Sequence, residues 1–155
     1  MDKAEELEVH IRCVDVLNRY ALATNRRDVE TYVSLYAPDG VWIRPGPMEM
    51  HGRDEIRAFI STVFGSGRPV RHLNGGYVVT PLGPDSAQVS SITTVYDAPA
   101  TVDGKVHMKG PSYLAEYEDL MRRIGDKWLI QRRVTSVVFI ASHAQPIPGI
   151  VPPAP

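Results

Sequence analysis

Five histidines, one cysteine and a scatter of carboxylates are the side chains of this sequence best suited to chemistry. His72, in Arg71-His72-Leu73-Asn74, stands out. An imidazole titrates near neutral pH and can take a proton from a carbon beside a carbonyl or a leaving group. At a strand start the same ring could instead bond a turn or face water. His51 falls in the loop before a helix, His107 near the start of a strand and His143 in the tail. His10 lies three residues from Cys13, and two ligands are too few for a metal. No histidine pair has the spacing and the carboxylate that a catalytic metal needs, so no metal is expected. The chain also lacks a glycine-rich phosphate loop and a dinucleotide fingerprint, so no cofactor is expected.

A second group of residues reads as a wall. Trp42, Phe59, Phe64, Met108, Tyr113 and Val134 are apolar or aromatic side chains that could line a pocket or simply fill a core. Such a lining, with few polar groups, suits a ring-bearing or terpenoid-like molecule better than a sugar or phosphate.

The elements that must hold these residues follow from periodicity. Leu7, Ile11, Val14, Leu17 and Ala21 repeat at helical spacing, with Cys13, Val16 and Tyr20 widening the stripe, and predict a helix over 3–24. Asp28 suits the N-cap of a second helix through Tyr32, Leu35 and Tyr36, broken by Pro38-Asp39-Gly40. Val41-Trp42-Ile43 reads as a short strand, and Ile56, Phe59, Ile60 and Phe64 as one face of a third helix. Four long β-rich stretches follow: 70–82, 87–96, 105–122 and 128–141. Turn residues join them as an antiparallel meander. The expected fold is α+β, a cone-shaped curved sheet wrapped around three N-terminal helices and enclosing one pocket.

Length and charge set outer bounds. The chain has 155 residues, enough for one core. The domain is expected over 1–141, followed by a proline-rich arm over 142–155 that crosses a neighbouring subunit or is disordered. Seventeen basic residues oppose eighteen acidic ones, for a net charge of −1, which argues against a nucleic-acid partner. The paired arginines, Arg132-Arg133 among them, read as solvated turns and strand edges. No apolar run approaches the ~20 residues of a membrane span, the first residues are acidic, and a lone cysteine cannot form an internal disulfide. A cytoplasmic protein without a membrane partner is expected.

Several local phrases, in order and with the right gaps, resemble a known family. They are the stretch Tyr20 to Tyr36, Asp39-Gly40-Val41-Trp42, His51-Gly52-Arg53-Asp54-Glu55-Ile56, Arg71-His72-Leu73-Asn74 and Gly125-Asp126-Lys127-Trp128. The resemblance is to the SnoaL-like branch of the nuclear-transport-factor-two-like superfamily and spans roughly residues 5–140. Within it the pattern is most similar to lyases of the scytalone dehydratase, bile-acid dehydratase and dehydrochlorinase types. Carried over from the bile-acid enzyme, the pocket tyrosine falls on Tyr20, the histidine on His72 and a strand-end aspartate on Asp97. The first-helix aspartate falls on Asn25, and the last-strand arginine near Val137, with Arg132 and Arg133 upstream.

The resemblance implies His72 as base, Tyr20 as donor to a substrate oxygen, and Asn25 or Asp97 behind the imidazole. Asn25 carries no charge, so the histidine pKa should fall. Asp97-Ala98-Pro99 also reads as plain turn-opening chemistry. Two functions stay open. One is a cofactor-independent lyase or isomerase on a small hydrophobic molecule, with loss of water first and isomerisation or ring closure next. The other is a binding protein or accessory subunit of the same fold. Apolar residues on the last strand (Val134, Val137, Val138 and Ile140) further predict a homodimer or homotrimer through the convex sheet face.

Overall fold

The computed structural model describes residues 1–150. Helix α1 spans Lys3–Arg26, opened by an Asp2–Glu5 capping box that satisfies its first backbone donors. Its buried arc is Val9, Cys13, Val16, Leu17, Tyr20 and Thr24. Leu7 and Ile11, expected on that face, are exposed at 59% and 56%. At 100° per residue they lie opposite the Cys13–Tyr20 side, so the helix carries two apolar stripes and only packing decides which turns inward. Burial pushes the Cys13 thiol up to about 12, so this sulfur is not a nucleophile at neutral pH.

Helix α2 is short, Val29–Ser34, with Asp28 accepting from the Thr31 backbone at its N-cap. The chain then enters β1, Tyr36–Arg44. The Pro38-Asp39-Gly40 phrase, expected to break a helix, instead lies inside this strand, where the register slips between Tyr36 and Val41. A small strand absent from the sequence reading, β2 (Met48–His51), pairs with β1, and α3 (Gly52–Gly65) follows.

The long strands are β3 (Val70–Gly83), β4 (Ser86–Asp97), β5 (Tyr113–Ile124) and β6 (Lys127–Ile140). The stretch expected to open the third of them, 105–112, belongs to a loop from Ala98 to Ser112. Pro99, Gly110 and Pro111 punctuate that loop, and His107 lies within it. Six strands form one curved, unclosed sheet in the order β2-β1-β6-β5-β4-β3, antiparallel except where β1 runs parallel to β6. The three helices cover its concave face, so the α+β expectation holds. No helix among the described residues is long and apolar enough to cross a membrane.

The main core joins α1, α2 and α3 to the concave face through Leu17, Tyr20, Tyr32, Tyr36, Ile56 and Ile130. A second cluster sits at the rim. Ala144, Ile147 and Ile150 of the tail pack on Val95, Tyr113, Val70, Val137 and Ile140. The described part of the tail therefore folds back over its own domain, because its apolar residues find an apolar rim there; residues 151–155 lie outside the described residues. Val137 and Ile140 face this inner cluster and not the convex side.

Candidate functional site

Strand alternation sets which side chains meet inside the cone. On β1, Trp42 and Arg44 are buried two residues apart; on β6, Arg133 and Thr135 are. On β3 and β4 the inward sets are Val70-His72-Asn74 and Thr93-Val95-Asp97, with Val70 paired to Asp97 and His72 to Val95. These strands, α1 and α3 enclose a cavity of about 110 Å³ lined by Tyr20, Tyr32, Trp42, Phe59, Phe64 and His72, among others. Its rim carries Arg27, Arg44, Arg68 and Asp97, and Ile147 and Ile150 of the tail help to roof it. An apolar cavity of about 150 Å³ admits a benzene ring, so this smaller space holds no more than about a single ring.

Three of the four residues expected to act chemically line this cavity: Tyr20, His72 and Asp97. Asn25 does not. It clamps the main chain of His72, accepting from the His72 N–H at 2.6 Å and donating from Nδ2 to the His72 carbonyl at 3.0 Å. This pair of hydrogen bonds ties the end of α1 to β3 and leaves the ring without a partner among the described residues. The His72 Nδ1 is buried and unbonded. Burial, then the charges of Arg133 and Arg44, push the imidazole down to about 4. The ring is therefore neutral at physiological pH, a proton acceptor of low basicity.

Asp97 is no partner of His72 either. Its Oδ1 accepts from the Ser112 hydroxyl, and its Oδ2 lies 3.4 Å from Arg68. The diagonal register explains this, since Asp97 stands one inward step beyond the residue facing His72.

The phenols of Tyr20, Tyr32 and Tyr117 line the same cavity. Tyr20 and Tyr32 share a hydrogen bond at 2.6 Å. Burial pushes the hydroxyls of Tyr32, Tyr36 and Tyr117 well above their ordinary value, so they stay protonated and remain donors. Beneath them lies Arg133, fully buried, its guanidinium 4.0 Å from the Tyr20 ring centre and 4.2 Å from that of Tyr117. It meets Asp119, also buried, through two bonds of 2.7 Å. Burial pushes the Asp119 carboxyl up, and the adjacent guanidinium pulls it back.

Among the expected wall residues, Trp42, Phe59, Phe64 and Tyr113 line the cavity. Met108 does not: it is 59% exposed in the loop before β5. Val134 does not either, because its neighbours Arg133 and Thr135 take the inward positions. Arg133 and Asp119 were not expected inside. The alternation Arg133-Thr135-Val137 was the available signal, masked by the habit of arginine to seek solvent. Arg44 was missed in the same way, although it stands two residues from Trp42. No group of three or more metal-ligating side chains is gathered among the described residues.

The SnoaL-like domain family matches residues 5–134. The chain belongs to that family. Solved structures agree on the fold of this SnoaL-like protein. A scytalone dehydratase-like protein from Novosphingobium aromaticivorans is 14% identical, covers 94% of both chains and superposes with a TM-score of 0.79. A type 2 hexachlorocyclohexane dehydrochlorinase is 12% identical over 96% of this chain and 100% of its own, with a TM-score of 0.75. A ketosteroid isomerase-like protein from Erwinia carotovora atroseptica is 25% identical over 87% and 98%, with a TM-score of 0.70. No curated protein matches the sequence. The neighbours' names cover elimination and isomerisation, while the SnoaL-like fold alone selects neither.

Proposed function

We propose that this SnoaL-like protein is a cofactor-independent lyase or isomerase acting on a small, ring-bearing hydrophobic molecule. The observation that carries the reading is the His72 ring, its Nδ1 buried and unbonded among the described residues, lining one mostly apolar cavity together with Tyr20 and Tyr32. In a dehydration, His72 takes the proton from the carbon next to a carbonyl. The electron pair forms the new double bond, and the carbon–oxygen bond breaks. The departing hydroxide takes a proton from the Tyr20–Tyr32 pair and leaves as water, and the proton on His72 then returns to the phenol through solvent. In an isomerisation the same base would return its proton to a different carbon. Asp97 serves here as the carboxylate that fixes Arg68 at the rim.

Single-ring β-hydroxy ketones, followed by ultraviolet absorbance for new conjugation, test the reading. The expected outcome is turnover that His72→Ala lowers by about 10²–10⁴-fold. Turnover unchanged in that variant would sink the role of His72.

A second reading, a ligand carrier or accessory subunit, is favoured by one observation. Asn25 spends its amide on the main chain and gives the imidazole no charged partner. Absence of turnover with tight ligand binding would select it. We infer in addition that the chain forms a homodimer or homotrimer through the convex sheet face. Support comes from a cross-strand row of Leu73, Thr94, Leu114 and Phe139, with Leu73 and Phe139 60% and 67% exposed.

A further inference from the structure

Arg44 is a buried cation without a counter-ion among the described residues. Its side chain lines the cavity, is about nine-tenths buried, and lies over the rings of Trp42 and Phe59, 5.1 and 4.7 Å from their centres. One guanidinium nitrogen, Nη1, donates to the Pro148 carbonyl at 3.2 Å. The Nε is buried and has no acceptor, and no carboxylate lies within ion-pair distance among the described residues. Arg133, buried more deeply still, shows what such a group ordinarily requires, because Asp119 meets it with both oxygens. A buried charge is costly unless paired and hydrogen-bonded.

The other rim cations are already engaged. Arg27 donates to the carbonyls of Gly67 and Arg68 at 2.7 Å each. Arg68 donates to Pro146 and meets Asp97. Three arginines against one aspartate leave the rim positive, and the one with an idle, buried donor is Arg44.

We propose that the natural ligand is a single-ring carboxylate, its ring among Trp42, Phe59 and Phe64 and its anion held by the Nε side of Arg44. The inference rests on the cavity being the substrate site proposed above and names the chemical class that fits it. The planar fork of a guanidinium matches a carboxylate, and the aromatic faces beneath it suit a ring placed next to the charge. The anion would also reach the base. Arg44 is one of the two charges that depress His72, so a carboxylate on it makes the imidazole more basic when the ligand is bound. The remaining charge facing His72 is Arg133 on β6, whose field Asp119 already offsets.

Calorimetric titration of the full chain near neutral pH tests this with three acids: phenylacetate, trans-cinnamate and cyclohexanecarboxylate, each against its own primary amide. At least one acid is expected to bind about tenfold more tightly than its amide, the margin of one charge-assisted bond. In Arg44→Gln the preference for acid over amide should disappear, the two binding about equally. Should that variant fail to fold, the Arg44 Nε–H resonance of the wild type decides. It should shift with the acid and stay in place with the amide. Equal binding of acid and amide, a preference that survives Arg44→Gln, an unmoved Nε–H resonance or no binding of any acid would each overturn the proposal. Because the readout is binding, it separates from the lyase reading: a carboxylate preference can stand where His72→Ala shows no role for the base, and the reverse.

Discussion

At the scale of single residues, His72 links function to stability. Its imidazole is held down to about 4, below the ordinary histidine value, by burial and by two cationic neighbours. The unfolded chain therefore takes up a proton near pH 6.5 that the folded protein refuses until about pH 4. Between those values the unfolded state binds more protons, so stability must fall as pH falls. The full effect of such a shift is on the order of 3 kcal/mol, an upper figure because the ring keeps contact with the cavity. Urea melts at pH 7.5 and 4.5 should show wild type losing more stability than His72→Gln. Equal losses would mean that the imidazole titrates normally. The same low value predicts that kcat/KM, which reports the free protein, stays flat from pH 8 down to about 5 once a substrate is known.

At the scale of elements, the joint between α1 and β3 rests on Asn25. Replacing it by aspartate would put a charge near His72, and sequence reasoning expects a stronger base from that change. The structure gives a further consequence. The Asn25 amide donates to the His72 carbonyl, and a carboxylate in its place sets oxygen against oxygen. Asn25→Asp should therefore cost about 1–3 kcal/mol at neutral pH, read as a lowered melting temperature that recovers partly in acid as the carboxyl protonates. A variant as stable as wild type would show that the clamp is dispensable. The joint also explains why Arg71 and Asn74 are held close: Arg71 reaches the Asn25 carbonyl at 3.4 Å, and Asn74 reaches that of Leu17 at 3.4 Å.

At the scale of the whole molecule, the tail is a roof tied down by side chains of the rim. Tyr113 donates to the Gln145 carbonyl, Arg68 to Pro146 and Arg44 to Pro148. Gly149, at φ +78°, nests against the β1–β2 turn so closely that a Cβ would run into the Pro45 carbonyl oxygen. Gly149→Val should release this end of the tail, read as faster hydrogen exchange over residues 144–150 and increased binding of a hydrophobic dye. Unchanged exchange would place the tail's hold elsewhere. On the outer face, light scattering at micromolar concentration should give two or three times the 17.2 kDa chain mass, and Phe139→Lys should return the monomer. A monomeric wild type would refute the assembly.

The amino-acid sequence by itself determined the cap of α2, most of the strand runs and the apolar character of the interior. These depend on neighbours within a few residues: Asp28 capping α2, alternation along β4, glycine at turns. The family resemblance pointed to Tyr20 and His72 as pocket residues, and the aromatic character of Trp42, Phe59 and Phe64 offered them as its wall; all five line the cavity. Only the tertiary structure decided the partners. Arg133 and Asp119 are buried because β5 and β6 set them side by side, and their pairing makes burial of two charges tolerable. Asn25 bonds a main chain 47 residues away, Ile150 returns to a rim built by β3, β4 and β5, and Arg44 is left facing the cavity with an empty donor. Each depends on pairing across the fold, and the energy of a polar side chain inside a protein is set by the group opposite it, which local sequence does not specify.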